Sequence, residues 1–228
     1  MNRPVEGVGV RELTQGDFFP IPVFQVPVPE MAPYHKEIIA LFDGLLEQGE
    51  LGPHTNGYGY QTKTNLFDPN SFAQPYFREV LLAAFRQACL QILSGTVTDF
   101  SPDLKHQWFN TFNTGWGVVQ TNETWPTEIP WHTHLPAVLS GCYYVSTSSS
   151  PNEGNLQFSN PIMPNMFQPK FAEVAPTEGH LIIFPSFLNH RPSATPSIGK
   201  QRRIALCMDG HWTSRIGDFA DKPPGFSA

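Results

Sequence analysis

The sequence has little charge. Only 15% of its 228 residues are Asp, Glu, Lys or Arg, and the net charge of -6 is spread along the chain. No cluster of Lys and Arg matches a phosphate backbone, so nucleic acid is not expected as a general partner. Cysteine is equally scarce. Cys89, Cys142 and Cys207 are an odd number with no close spacing, which excludes a disulfide framework or a zinc knuckle. Cys142 and Cys207 fall in apolar runs and read as small buried core residues. No apolar stretch approaches the roughly 20 residues that cross a bilayer. Met1–Glu6 shows no apolar h-region of a signal peptide. The expectation is a soluble, cytoplasmic protein that does not engage a membrane.

The chain is rich in hydrophobic residues (40%), with 18 phenylalanines, 18 glycines and 23 prolines. That mixture suits an ordered, loop-rich and β-rich protein, and 228 residues suit one domain. Phe18–Val26 alternates apolar residues with proline, as an edge strand can. Pro33–Leu46 carries Ile38, Leu41, Phe42 and Leu45 at helical spacing. Tyr76–Leu93 predicts the longest helix, with a buried stripe of Val80, Leu81, Ala84, Phe85, Ala88 and Ile92 and an end near Gly95.

From about residue 104 the texture changes. Short apolar runs alternate with Gly, Asn, Pro and Ser: His106–Phe112, Gly117–Thr121, Ile129–His134, Leu139–Val145, Asn155–Phe158, Gly179–Phe184 and Arg203–Asp209. Many short, closely spaced strands predict a sandwich or jelly roll.

The chemistry centres on His132 and His134, two apart in a segment that reads as a strand. Residues i and i+2 of a strand face the same way, so the pair forms half of a metal site. His190 closes the strand-like run Leu181–Phe187 and is the candidate third ligand, since a jelly roll brings distant strands together. Three protein ligands leave positions open for a cosubstrate and oxygen. Arg203 begins the apolar run Ile204–Met208, where a guanidinium needs an anion. A bidentate carboxylate suits it, and Arg202 replaces it if the register slips by one. The other histidines, His35, His54, His106, His180 and His211, read as surface or ordinary hydrogen-bonding residues.

The ordered set His132-Thr133-His134, Ser140-Gly141-Cys142-Tyr143-Tyr144, Gly154-Asn155-Leu156-Gln157-Phe158, Phe184 to His190 and Arg203-Ile204-Ala205 resembles a group of iron(II)/2-oxoglutarate-dependent oxygenases. Trp108-Phe109-Asn110 and Asn56–Thr62 are also similar to that group, and the resemblance spans roughly residues 18 to 210. It implies a mainly β protein with N-terminal helices: a double-stranded β-helix, the jelly roll of cupin-like proteins. A single domain would cover 1–228, with an N-terminal elaboration over 18–100 and the β-helix core over 101–215. It further implies His132 and His190 as iron ligands, Arg203 as the clamp on the distal carboxylate of 2-oxoglutarate, and Tyr143 or Tyr144 as a hydroxyl in the same pocket. Strand alternation admits only one of the two tyrosines. O2 is the implied second cosubstrate and C–H hydroxylation the implied reaction, on a primary substrate that no motif identifies.

One position departs from the wider superfamily, where H-x-Asp or H-x-Glu is usual and this chain has His134. Three neutral histidines leave iron(II) with its charge of about +2, where a carboxylate would reduce it to about +1. The same donor set describes a catalytic zinc site. Two other readings follow: a cupin-like metal enzyme without 2-oxoglutarate (a three-histidine dioxygenase or a zinc hydrolase), and a jelly-roll binding module. Glu128 is a further candidate carboxylate, with Pro130 between it and His132. Asn56–Thr62 and Trp125–Glu128 are candidate borders of the substrate opening.

Overall fold

The computed structural model describes residues 21–54, 59–96, 109–110, 114–121, 130–147, 154–161, 169–193 and 202–212. The first strand, β1 (Phe24–Pro27), lies at one edge of the main sheet. A 3-10 turn over Pro29–Tyr34 then feeds α1 (His35–Glu47). The apolar stripe of α1 buries Ile38 and Phe42 completely. Gly49, at φ +70, lets the chain leave the helix: its N–H reaches the Leu46 carbonyl, and that of Glu50 reaches Leu45. This is a Schellman ending, which satisfies carbonyls that the last turn orphans.

Two short strands follow, β2 (Gly52–Pro53) and β3 (Tyr60–Gln61). The long helical segment has two parts, a π-helical stretch Phe77–Leu82 and then α2 (Ala83–Thr96). Its buried face is Phe77, Leu81, Phe85, Ala88, Cys89 and Leu93. The wider π turn rotates the stripe, so Val80, Ala84 and Ile92 sit on its flank and are only partly buried.

The remaining strands are β4 (Phe109–Asn110), β5 (Gly115–Gln120), β6 (Leu139–Ser146), β7 (Leu156–Ser159), β8 (Phe171–Val174), β9 (His180–Pro185), β10 (His190–Pro192) and β11 (Arg203–Trp212). The main sheet runs β1-β9-β6-β11-β5-β3-β2, with β4 paired to β11, and a smaller sheet runs β10-β7-β8. Among the described residues every strand pairing is antiparallel. This is the mainly β jelly roll that the strand spacing predicts. Two expectations need correction. Ile129–His134 makes only an isolated bridge, His132 opposite His190, within its described part. His190 does not close the run before it: β9 ends at Pro185, and His190 opens β10 after a turn.

Period-two alternation sorts the central strands into two faces. On the helix side lie Tyr143, Val145, Leu181, Ile183, Ile204, Leu206 and Met208, packed with Phe42, Leu81 and Phe85. On the other side lie Val118, Cys142, Tyr144, Ile182, Phe184, Ala205 and Cys207, packed with Leu156 and Phe158 of the smaller sheet. Burial on both faces explains why β6, β9 and β11 read as nearly continuous apolar runs. Glycines admit the helix rings: a Cβ at Gly117 would overlap Phe42, and one at Gly141 would come within 2.8 Å of Phe85.

The two edges of the main sheet are short and contain proline. β1 ends at Pro27, and β2 is only Gly52–Pro53.

Candidate metal centre and cosubstrate pocket

Between the two sheets lies a cavity of about 300 Å³ that holds the candidate residues. Its histidines are positioned by backbone contacts. His132 and His190 exchange N–H···O bonds of 3.0 and 2.9 Å, which sets the two side chains directly opposite each other. The N–H of His134 donates to the Ser186 carbonyl at 3.0 Å, tying the same segment to the turn after β9. Their ring centroids are 4.3 Å (His132 to His190), 4.9 Å (His134 to His190) and 5.4 Å (His132 to His134) apart. One nitrogen from each ring lies within 4.8 Å of the others, the spacing of a metal-binding group.

Each ring directs its Nδ1 outward to an acceptor. That of His132 faces the Pro130 carbonyl at 3.3 Å, that of His190 the Leu188 carbonyl at 2.9 Å, and that of His134 Asp209 Oδ1 at 2.9 Å. An acceptor at Nδ1 fixes the proton there and leaves the Nε2 lone pair as the ligand. Burial, reinforced by His134, pushes the pKa of His132 down to about 4. Burial, reinforced by His132 and His134, holds His190 well below its ordinary value. Both rings are therefore neutral at ordinary pH, as a metal ligand must be. His134 moves the other way: burial lowers its pKa, but the bond to Asp209 and that carboxylate's charge raise it further. Three imidazoles with their protons turned outward fit a divalent transition metal such as iron(II).

Arg203 lies along the same face of β11 as Ala205, Cys207 and Asp209. It is 4% exposed and donates to Gln120 Oε1 and, at 3.4 Å, to Tyr144 OH. Its guanidinium carbon also sits 5.0 Å from the Tyr144 ring centre. Arg202 pairs with Asp43 on α1, whereas Arg203 lines the cavity.

The tyrosines divide in the same manner. Tyr144 lines the cavity beside Arg203. Tyr143 faces the helices, where its hydroxyl meets His35 Nε2 at 2.6 Å. Tyr143 is thereby corrected as a candidate for the cosubstrate pocket, and His35 is a half-buried partner rather than a surface residue.

Sequence reasoning missed two residues at the site. Asp209 ends an apolar run and is 9% exposed; its Oδ1 also accepts from Ser140 Oγ at 2.6 Å. Ser140 Oγ lies 2.8 Å from Ser186 Oγ. The alternation that begins at Arg203 was the available signal. His54, read as a polar-loop residue, is 7% exposed and lines the cavity. Burial, then the nearby His132, His134 and Arg203, press its pKa down to about 4. Gln61, at the end of β3, also borders the cavity, while 55–58 and Trp125–Glu128 lie outside the described residues, as does His106.

The fold and the centre together make a jelly roll with a candidate three-histidine metal site in its cavity. Residues 114–209 match the family model described as "Putative 2OG-Fe(II) oxygenase". No curated protein matches the chain by sequence. Among solved structures, a prolyl-4-hydroxylase of Pseudomonas putida is similar over 86% of this chain and 93% of its own, at 18% identity and a TM-score of 0.52. SnoN, a non-haem α-ketoglutarate-dependent epimerase from nogalamycin biosynthesis, covers 90% of this chain and 86% of its own, at 15% identity and a TM-score of 0.58. HygX from Streptomyces hygroscopicus, solved with nickel and 2-oxoglutarate, covers 83% and 82%, at 14% identity and a TM-score of 0.50. At these identities the likeness establishes the fold. Among the described residues, no helix is long and apolar enough to cross a membrane.

Proposed function

We propose that His132, His134 and His190 hold iron(II) through their Nε2 atoms and that Arg203, with Tyr144, binds the distal carboxylate of 2-oxoglutarate. The observation that carries this reading is the outward placement of all three Nδ1 atoms, which leaves the metal-binding nitrogens grouped in one cavity. Iron bound there supplies the coupling of O2 reduction and 2-oxoglutarate decarboxylation, to succinate and CO2, with oxidation of a substrate C–H bond.

The chain's own residues do the rest. Backbone bonds to His190 and Ser186 hold the two ligands of the 132–134 segment in place. Arg203 offers a planar fork of donors to a carboxylate, and its burial gives that attraction weight that water would screen. The Tyr144 hydroxyl is a second donor on the same side. Val118, Ala205, Cys142 and Cys207 make an apolar wall that limits water beside the bound diacid.

The test is succinate formation from 2-oxoglutarate by purified protein given iron(II) and O2, assayed together with the metal content. The expected result is iron-dependent turnover that disappears, with the metal, in His132→Ala and His190→Ala. Wild-type protein that binds neither iron(II) nor 2-oxoglutarate would overturn the reading.

A further inference from the structure

Resting on that assignment of the metal ligands, we propose that Asp209 is a positioning residue that supplies, through His134, the carboxylate charge that the H-x-H motif lacks. Asp209 is outside the group of converging ligand atoms. Its Oδ1 is engaged twice, by His134 Nδ1 at 2.9 Å and by Ser140 Oγ at 2.6 Å. The arrangement closes on itself. Ser140 contacts Ser186 through their hydroxyls at 2.8 Å, and the Ser186 carbonyl takes the backbone N–H of His134. Both the ring and the backbone of His134 are therefore tied to the same small network. Three of its members stand on the central strands β6 and β11 and just after β9.

A carboxylate at Nδ1–H of a ligating imidazole does two things. It fixes the ring's tautomer and angle, and it makes Nε2 a stronger donor. Here it does a third. In a site with three neutral ligands the iron keeps a charge of about +2; one carboxylate in contact with a ligand returns the centre to about +1. That is the charge of a site in which the carboxylate is itself the ligand. Moving it one imidazole away frees no coordination position and loses none, because His134 takes the place of the missing acid. The low dielectric between the sheets lets the charge act across the ring.

The experiment measures affinity for cobalt(II) and nickel(II), by calorimetry and by ligand-field spectra, in the full chain without turnover. Asp209→Asn keeps an oxygen for His134 and Ser140 and removes only the charge. The expected loss of metal affinity is about 10- to 100-fold, with the number of ligands in the cobalt(II) spectrum unchanged. His134→Asp restores a carboxylate in the ligand position. In that background Asp209→Asn is expected to leave affinity equal or higher, because two adjacent carboxylates repel. If Asp209 only shaped the site, Asn would weaken binding in both backgrounds, and the proposal would fall. If His134→Asp does not fold, the single variant decides: unchanged affinity, or a cobalt(II) spectrum showing one ligand fewer, overturns the proposal. A wild-type protein that binds no metal overturns the reading beneath it instead, so the two failures are told apart.

Discussion

Tyr143 and Tyr144 are neighbours in sequence and are both fully buried, yet they belong to different chemistries. Tyr143 faces the helices, where Phe42, Leu81 and Phe85 fill the space around it. Tyr144 faces the cavity, where Arg203, the histidines and Asp209 meet. The same β6 backbone thus serves two surfaces. One is closed by large rings seated against glycines, with the His35–Tyr143 bond among its polar contacts. The other keeps its polar groups in a network and leaves room for a ligand. The lesson is that a double-sided sheet can assign rigidity to one face and reactivity to the other, with alternation as the only switch.

That division can be broken from either side. The largest effect is expected from Arg203→Gln, which removes the cavity's buried cation. Loss of a desolvated charge partner costs about 2–5 kcal/mol in binding. 2-Oxoglutarate affinity should fall at least about 30-fold, while cobalt(II) binding persists. Calorimetry on the two ligands separates this result from that of a metal enzyme that needs no 2-oxoglutarate. On the opposite face, Phe85→Ala empties the space over Gly141 and should cost about 3–5 kcal/mol of folding stability. Chemical denaturation measures the loss. Metal and 2-oxoglutarate affinity in the protein that remains folded should stay near wild type.

Acid should act through the cavity face. His54 and His132 have folded-state pKa values pushed to about 4, and His190 is held well below its usual value. The unfolded chain binds these protons near pH 6.5 and the folded metal-free protein does not. Stability is therefore fully present above that pH and declines as pH falls from about 6.5 towards 4. His134, whose value is raised by Asp209, works in the opposite direction and softens the decline. A fall of a few kcal/mol, read from urea midpoints of metal-free protein, is expected; a stability that rises with acid would contradict it. The smallest effects compare the tyrosines directly. Tyr144→Phe should weaken 2-oxoglutarate binding by about 1 kcal/mol, one hydrogen bond's worth. Tyr143→Phe should leave binding unchanged and show its loss in stability alone.

Much of the scaffold was legible because burial on both faces writes itself as apolar runs. Leu139–Val145 and Arg203–Asp209 are such runs, and both became central strands. β8 and β10 were not legible: the first, Phe171–Val174, buries none of its residues, and the second is His190-Arg191-Pro192, which has no strand character by itself. The histidines were found for a partly mistaken reason. His132 and His134 sit together because an isolated bridge and one bond to Ser186 hold them, not because a regular strand does. Asp209 escaped notice because its role depends on His134 and Ser140, both far away in sequence. His54 escaped because a polar loop gives no hint that it folds over a cavity. Local pattern reports which residues are buried; it does not report which distant residue they are buried against.

The ends of the main sheet carry a consequence for how molecules of this protein meet one another. A β-sheet edge is a template on which a second chain can add a strand. Here the outermost described strands are β1, which stops at Pro27, and β2, whose two residues are Gly52 and Pro53. A proline has no N–H to offer, and two residues cannot hold a ladder. A sheet with so much apolar surface is thus terminated at both sides in a form that discourages edge-to-edge polymerisation.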